Sequence, residues 1–179
     1  MPLLEEGARL ELLQEASSYC YVEQTAVVGA GDRIVKQEYS SFEAFPESSL
    51  YRSLMTEFQV LINEAMFGLA NNPFTVPLQF NGMVLQRYEP GQLGITPHRD
   101  SYSAINLICI FNIDGQGKFY LCGDRMGTNS VEIDTTPGNV IFLRAPGFLL
   151  SKRRPFHYLT DIRSTRYSFG LRQKIMRSR

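Results

Sequence analysis

The sequence contains no tryptophan, only two histidines, and three cysteines with no CxxC spacing. Cys20, Cys109 and Cys122 are odd in number and scattered, so free thiols in a reducing compartment are expected rather than a disulfide framework. No stretch approaches the roughly 18 consecutive apolar residues of a membrane span, so no membrane partner is expected. The opening segment, MPLLEEGARLELLQEA, is acidic where a secretory or organellar leader would be basic, which points to a cytoplasmic protein. Net charge is missing too: 18 Lys and Arg balance 18 Asp and Glu, and the pI is near 6.7. Together with the absent tryptophan, that balance weighs against a nucleic-acid surface.

What is present fits one soluble domain. The chain has 179 residues, 44% hydrophobic and 20% charged, enough to bury a core. Its charges are unevenly placed. Residues 1–50 carry nine acids against three bases, and residues 151–179 carry nine bases against one acid. A basic end can serve a nucleic acid, hold arginines against a small dicarboxylate, or simply be solvated.

Periodicity divides the chain in two. Leu4, Ala8, Leu12, Leu13 and Ala16 predict a helix over 3–16. YVEQTAVV and RIVKQEY, joined by Gly29-Ala30-Gly31-Asp32, predict a β-hairpin. Leu50, Leu54, Phe58, Leu61, Ile62, Ala65 and Leu69 predict a second helix, starting near Ser48 and broken by Asn71-Asn72-Pro73. From Phe74 onward, short apolar or alternating runs are separated by PGQLG, DGQG, GDRMG, TPG and APG. Several short strands at close spacing indicate a sandwich or barrel. The expected fold is therefore α+β but mainly β, in one domain over 1–179. Residues 1–75 form a helical and hairpin part whose helices pack on one sheet, and residues 76–173 form a jelly-roll core.

Both histidines are candidates for chemistry. In Pro97-His98-Arg99-Asp100, residues i and i+2 of an extended segment face the same way, so His98 and Asp100 can grip one ion. His157 follows Asp100 by 57 residues, at the start of an expected strand. Two imidazoles and one carboxylate on one side of a metal form a facial triad with open positions opposite. A His-x-Asp pair alone is common, and His157 alone can be an ordinary surface histidine. Nine residues past His157 lies Arg166-Tyr167-Ser168, with Arg166 and Ser168 on one face. A guanidinium fork suits a terminal carboxylate, and a surface salt bridge is its bland alternative.

His-x-Asp, a distal His and an Arg-x-Ser strand together resemble the Fe(II)/2-oxoglutarate dioxygenase superfamily. TPGNVIFLRAPG is similar to the turn and strand that family places before its distal histidine. Arg166-Tyr-Ser-Phe-Gly-Leu-Arg172 resembles the arginine-five-arginine strand of AlkB-type demethylases. Leu85-Gln86-Arg87-Tyr88-Glu-Pro-Gly resembles the Asn-x-Tyr-x-x-Gly run of that group, with Gln86 in place of Asn. The resemblance covers roughly residues 76–173. It implies a double-stranded β-helix and Fe(II) held by His98, Asp100 and His157. It also implies 2-oxoglutarate as cosubstrate, with O2, on Arg166, Ser168 and Tyr88, while Gln86 reaches the carboxylate nearer the metal. Arg172 is also a candidate for the cosubstrate. Six extended residues span about 20 Å, so both arginines reach one ligand only by leaning together. Otherwise Arg172 faces the substrate or a structural acid.

The resemblance further implies an oxygenase that converts 2-oxoglutarate and O2 to succinate and CO2 while oxidising a C–H bond. Asp100 occupies the position that related halogenases lack, which favours hydroxylation, or a desaturation or demethylation with a similar start. The short chain leaves little room for large recognition elements, so a small-molecule substrate is expected. Lys152, Arg153 and Arg154, just before His157, suit an anionic one or form a solvated loop. Asn81, Tyr102 and Arg144 are candidates by proximity, whereas Phe80, Phe142 and Phe156 read as core. Three rivals remain: a nucleic-acid or protein demethylase or hydroxylase, a zinc hydrolase using the same triad, and a jelly-roll binding module without catalysis. The hydrolase reading leaves Arg166 and Ser168 without a role.

Overall fold

The computed structural model describes residues 2–175. Helix α1 spans Glu6–Ser18, and Leu12 and Ala16 are its buried contacts. Leu4 is buried ahead of the helix, whereas Ala8 stays in solvent, so the apolar stripe is narrower than its spacing suggests. A polar contact secures this helix: Arg9 Nη1 donates to Ile113 O at 3.1 Å and to Asp114 Oδ1 at 2.8 Å.

Helix α2 spans Leu50–Phe67 and begins one residue later than its sequence signal. Ser49 is the N-cap, its Oγ accepting from the Tyr51 N–H at 3.1 Å. Glu15 of α1 also serves this terminus. It accepts from Ser49 Oγ at 2.6 Å and from the Leu50 N–H at 2.8 Å, placing a carboxylate at the positive end of the helix dipole.

The residues expected to form one hairpin are shared between two sheets. β1 (Val22–Glu23) pairs with β4 (Ser40–Phe42), and β2 (Val27–Val28) pairs with β3 (Val35–Glu38) across a 3₁₀ turn at Gly31–Arg33. The expected hairpin keeps one register along its length, from Val28 opposite Val35 to Val22 opposite Ser41. Its outer part enters a different sheet from its inner part because Ser40 and Ser41 also pair with Arg87 and Gln86 of β5 (Gly82–Tyr88).

The remaining strands are β6 (Gly94–His98), β7 (Ala104–Asp114), β8 (Lys118–Cys122), β9 (Val131–Ile133), β10 (Val140–Arg144), β11 (Phe156–Thr160) and β12 (Arg166–Lys174). One six-stranded sheet runs β1-β4-β5-β12-β7-β10, and the other runs β2-β3-β6-β11-β8-β9. All pairings are antiparallel among the described residues. Two such sheets, with strands crossing between them, make the expected double-stranded β-helix.

The first sheet is covered on both faces. Leu85, Cys109, Phe111, Phe169 and Leu171 pack against Tyr51, Phe58 and Ile62 of α2 and Leu12 and Ala16 of α1. Tyr88 and Ile108 face the second sheet, with Ile95, Phe119 and Leu159. Double coverage is why AINLICIFNI reads as an almost unbroken apolar run rather than an alternating one. Of the three phenylalanines expected in the core, only Phe80 is buried. Phe142 is 51% exposed on an edge strand although its ring stacks on Phe58 of α2 with centroids 6.3 Å apart, and Phe156 is half-buried on the outer side of β11.

Candidate active site

The site lies between the sheets. A backbone requirement sets its frame: Gly94 opens β6 at φ +80°, and a Cβ there would sit 2.2 Å from Leu159 O. Only glycine lets β6 lie this close to β11. The resulting register puts His98 directly opposite His157, so both rings leave the same face with centroids 4.4 Å apart. Asp100 follows two residues on, and Arg154 Nη1 holds its backbone carbonyl at 2.6 Å.

The two imidazoles are oriented alike. His98 Nδ1 donates to Thr96 O at 3.0 Å and His157 Nδ1 to Pro155 O at 3.2 Å. A carbonyl can only accept, so Nδ1 carries the proton and each Nε2 is left with its lone pair. His157 Nε2 then stands 3.4 Å from Asp100 Oδ2. Two acceptors facing each other call for a cation, and cis ligands on an ion with bonds of about 2.1 Å stand about 3 Å apart. Burial pushes the His98 imidazole down to about 4, and the charge of a protonated His157 would push the same way. Burial alone would raise the Asp100 carboxyl, but Arg172, then His157 and His98, outweigh it and hold it below the usual range. A neutral His98 and an ionised Asp100 are the forms a metal requires. Among the described residues, no trio of His, Cys, Asp or Glu already stands at full ligand spacing, so seating an ion takes a small side-chain adjustment.

Strand β12 supplies the opposite wall. Arg166 lies across from Tyr88, Ser168 from Gln86 on one side and Asn112 on the other, so these five side chains share a face. They line one cavity with His98, Asp100, His157 and Arg172, except Asn112, which stands behind Arg166. Arg166 is 2% exposed. Its Nη2 donates to Asn112 Oδ1, while its Nε is buried with no partner. Burial pulls this guanidinium down from its ordinary range, with Tyr88 opposing. A buried cation with an unmet donor is costly and waits for an anion. The space enclosed is about 40 Å³ as the side chains stand, so a five-carbon dicarboxylate enters only if some of them swing toward the rim.

Arg172 reaches the same cavity by leaning. Gly170 lies between Arg166 and Arg172 on their shared face, and a Cβ there would meet Arg172 Nη1 at 3.4 Å and Val84 Cγ1 at 3.1 Å. With no side chain at Gly170, the Arg172 guanidinium folds back, and Nη2 reaches Asp100 Oδ1 at 3.3 Å. Its partner is thus Asp100, where the sequence offered the cosubstrate, the substrate or a structural acid.

Asn81 is not in the cavity; it exchanges hydrogen bonds with the Lys174 backbone at a strand end. Tyr102 and Arg144 are exposed outside it. Three contributors escaped the sequence reading. Asn112 orients Arg166, Phe119 stacks on the His157 ring with centroids 5.5 Å apart, and Tyr39 packs on Tyr88 at 5.3 Å. Only Asn112 left a signal, as a polar residue inside the apolar run of β7.

No protein-family model matches the sequence, and no curated protein does. Solved structures do match in fold. A prolyl hydroxylase of Trichoplax adhaerens superposes with a TM-score of 0.69 at 13% identity, over 97% of this chain and 80% of that one. A prolyl-4-hydroxylase of Pseudomonas putida gives 0.58 at 14% identity, over 96% and 89%. An oxidoreductase of the 2OG-Fe(II) oxygenase family from Burkholderia pseudomallei gives 0.59 at 12% identity, over 93% and 78%. The chain has the fold of the 2-oxoglutarate Fe(II) oxygenases. Among the described residues no helix is long and apolar enough to cross a membrane.

Proposed function

We propose that the protein is an Fe(II)- and 2-oxoglutarate-dependent oxygenase that hydroxylates, or otherwise oxidises a C–H bond of, a small-molecule substrate. The observation that carries this reading is the buried Arg166, whose Nε lacks a partner, in a cavity that also gathers His98, Asp100 and His157. Iron with 2-oxoglutarate and O2, when bound, supplies oxidative decarboxylation to succinate and CO2 coupled to oxidation of the C–H bond.

The residues have distinct tasks in this reading. His98 and His157 present their Nε2 lone pairs because Thr96 and Pro155 hold the opposite nitrogens. Asp100 supplies the carboxylate, kept ionised by Arg172. Arg166 takes the distal carboxylate of 2-oxoglutarate with Ser168 and Tyr88, and Gln86 approaches the end nearer the metal. Burial raises the Tyr88 hydroxyl, so it remains a donor. Ile95, Ile110, Phe119 and Leu159 exclude water from the cavity.

A peptidyl substrate is the second reading, favoured by the Trichoplax prolyl hydroxylase, which is described in complex with a hypoxia inducible factor oxygen degradation domain peptide fragment. The AlkB-like assignment of Arg172 to the cosubstrate is a finer one, and its contact with Asp100 favours a role at the metal instead. A zinc hydrolase would leave Arg166 unexplained.

The test is an anaerobic titration of metal-free protein with Fe(II) and then 2-oxoglutarate, following the visible charge-transfer band of the chelate. Saturation at one equivalent supports the oxygenase. Bound metal without a band would favour the hydrolase or a binding module.

A further inference from the structure

Beside the iron-binding segment lies a second and larger cavity, of about 700 Å³, lined by Arg33, Arg99, Arg125, Arg154, Tyr102 and Phe156 among others. Its position is set by the site itself. Arg99 lies between His98 and Asp100 in the chain, Phe156 directly precedes His157, and Arg154 grips the Asp100 carbonyl at 2.6 Å. Phe156 alternates with His157 along β11 and so lies on the opposite face of that sheet, and this cavity shares no lining residue with the Arg166 pocket. An occupant anchored here carries its anchored group at a distance from the carbon it presents to the metal.

The lining contains four arginines and no acid. Arg33 has only a weak pairing with Asp32 at 3.9 Å, both side chains being in solvent. Among the described residues, Arg99, Arg125 and Arg154 form no ion pair with a carboxylate. They are held by aromatic faces instead. The Arg99 guanidinium sits 3.9 Å from the Phe156 ring centre, and Arg154 sits 3.4 Å from that of Tyr102. Arg125 Nη1 is buried with no hydrogen-bond partner. Stacking fixes a guanidinium plane while leaving its N–H edge free, which suits a bidentate grip on an oxyanion. Next to this cavity, Arg144, Lys152 and Arg153 line a further pocket with Arg99 and Arg154, extending the positive field toward solvent. Like charges gathered without counter-ions destabilise a fold, so their retention here points to a ligand.

We propose that this arginine cavity anchors the anionic part of the substrate, a phosphate or polycarboxylate group remote from the oxidised carbon. The inference rests on the oxygenase reading and narrows its substrate to compact, multiply charged acids. A phosphorylated and a carboxylated substrate share the chemistry, and separate probes distinguish them.

The experiment is calorimetric titration of the full chain at low salt with inorganic phosphate, with tricarballylate, with neutral sorbitol, and with a single-stranded oligonucleotide. Phosphate or tricarballylate should bind and sorbitol should not. Arg125→Gln and Arg99→Gln should each weaken the anion about tenfold or more, as expected for loss of a charged hydrogen bond. Arg163→Gln, whose arginine pairs with Asp161 outside this cavity, should bind as wild type does. Thermal denaturation of each variant establishes that it is folded, and the two separate substitutions guard against failure of one. No anion binding by wild type, or equal binding by both cavity variants, would overturn the proposal. Preference for the oligonucleotide with steep salt dependence would overturn the compact substrate. The iron–2-oxoglutarate band of wild type is read in parallel. A normal band without anion binding sinks this inference alone, whereas anion binding without a band sinks the oxygenase and the substrate role with it.

Discussion

Replacing Arg166 by methionine should separate ligand binding from folding. The side chain is 2% exposed, with one donor satisfied by Asn112 and one, Nε, by nothing. Methionine keeps most of the volume and removes both the buried charge and the orphaned donor. It also strands Asn112 Oδ1. An unsatisfied buried group costs about 1–3 kcal/mol whichever it is, so the two changes offset and stability should move by no more than about 2 kcal/mol. Cosubstrate binding has no such compensation. Two charge-assisted hydrogen bonds to a carboxylate, at about 1.5–2 kcal/mol each, amount to roughly 3–4 kcal/mol, or a hundred- to thousandfold in affinity. The assay pairs anaerobic titration of the Fe(II)–2-oxoglutarate band with urea denaturation of the metal-free protein. Binding within threefold of wild type would refute the assignment of Arg166 to the cosubstrate. A collapse in stability would refute the view that its buried charge is held for a ligand rather than for the fold.

Metal-free protein should lose stability on acidification between about pH 6.5 and 4. His98 is depressed to about 4, so in that window the unfolded chain binds a proton that the folded chain refuses; denaturation midpoints across pH should show up to about 3 kcal/mol lost. A flat profile from 6.5 to 4 would contradict this, and the depressed Asp100 adds a loss of the same sign at still lower pH. Arg172→Gln removes a cation 3.3 Å from Asp100 Oδ1, so Fe(II) or Mn(II) should bind a few-fold more tightly while the metal-free fold weakens; calorimetry reads the first and denaturation the second. Ser49→Ala should cost about 1–2 kcal/mol by removing the α2 cap and its link to Glu15, with 2-oxoglutarate affinity unchanged in the same titration. Phe169→Ala should cost about 3–5 kcal/mol in denaturation, whereas Ser168→Ala, its neighbour on the opposite face, should chiefly weaken 2-oxoglutarate.

Much of this architecture was legible in the sequence because its signals are local. Seven of the β-rich runs after Phe74 became strands, and the Asn71-Asn72-Pro73 breaker follows closely on the end of α2 at Phe67. Pairing that depends on distant chain was not legible. Nothing in YVEQTAVV shows that the outer part of its hairpin, Val22 and Glu23 against Ser41 and Ser40, joins β5 in a different sheet from the inner part. Site residues announced themselves where their chemistry is scarce, as with two histidines in 179 residues. Those acting through shape stayed hidden. Phe119 beside His157 looks like any core phenylalanine, and Gly170 looks like a strand defect until the course of Arg172 is known.

Strand β12 shows why fold and candidate site are hard to separate here. It lies between β5 and β7 near the middle of its sheet, which makes it a poor place for charge in an ordinary sandwich. Its odd positions, Phe169 and Leu171, are fully buried against the helical layer. Its even positions, Arg166, Ser168, Gly170 and Arg172, face the cavity between the sheets. The two-residue period therefore assigns stability to one face and polar chemistry to the other along a single rigid element. Rigidity matters on the polar face, because a guanidinium buried with an unmet donor would relax toward water on a loop. Held on a central strand with Asn112 behind it, Arg166 cannot do so. Its donor stays aimed into the space between the sheets whether or not a carboxylate is there to receive it.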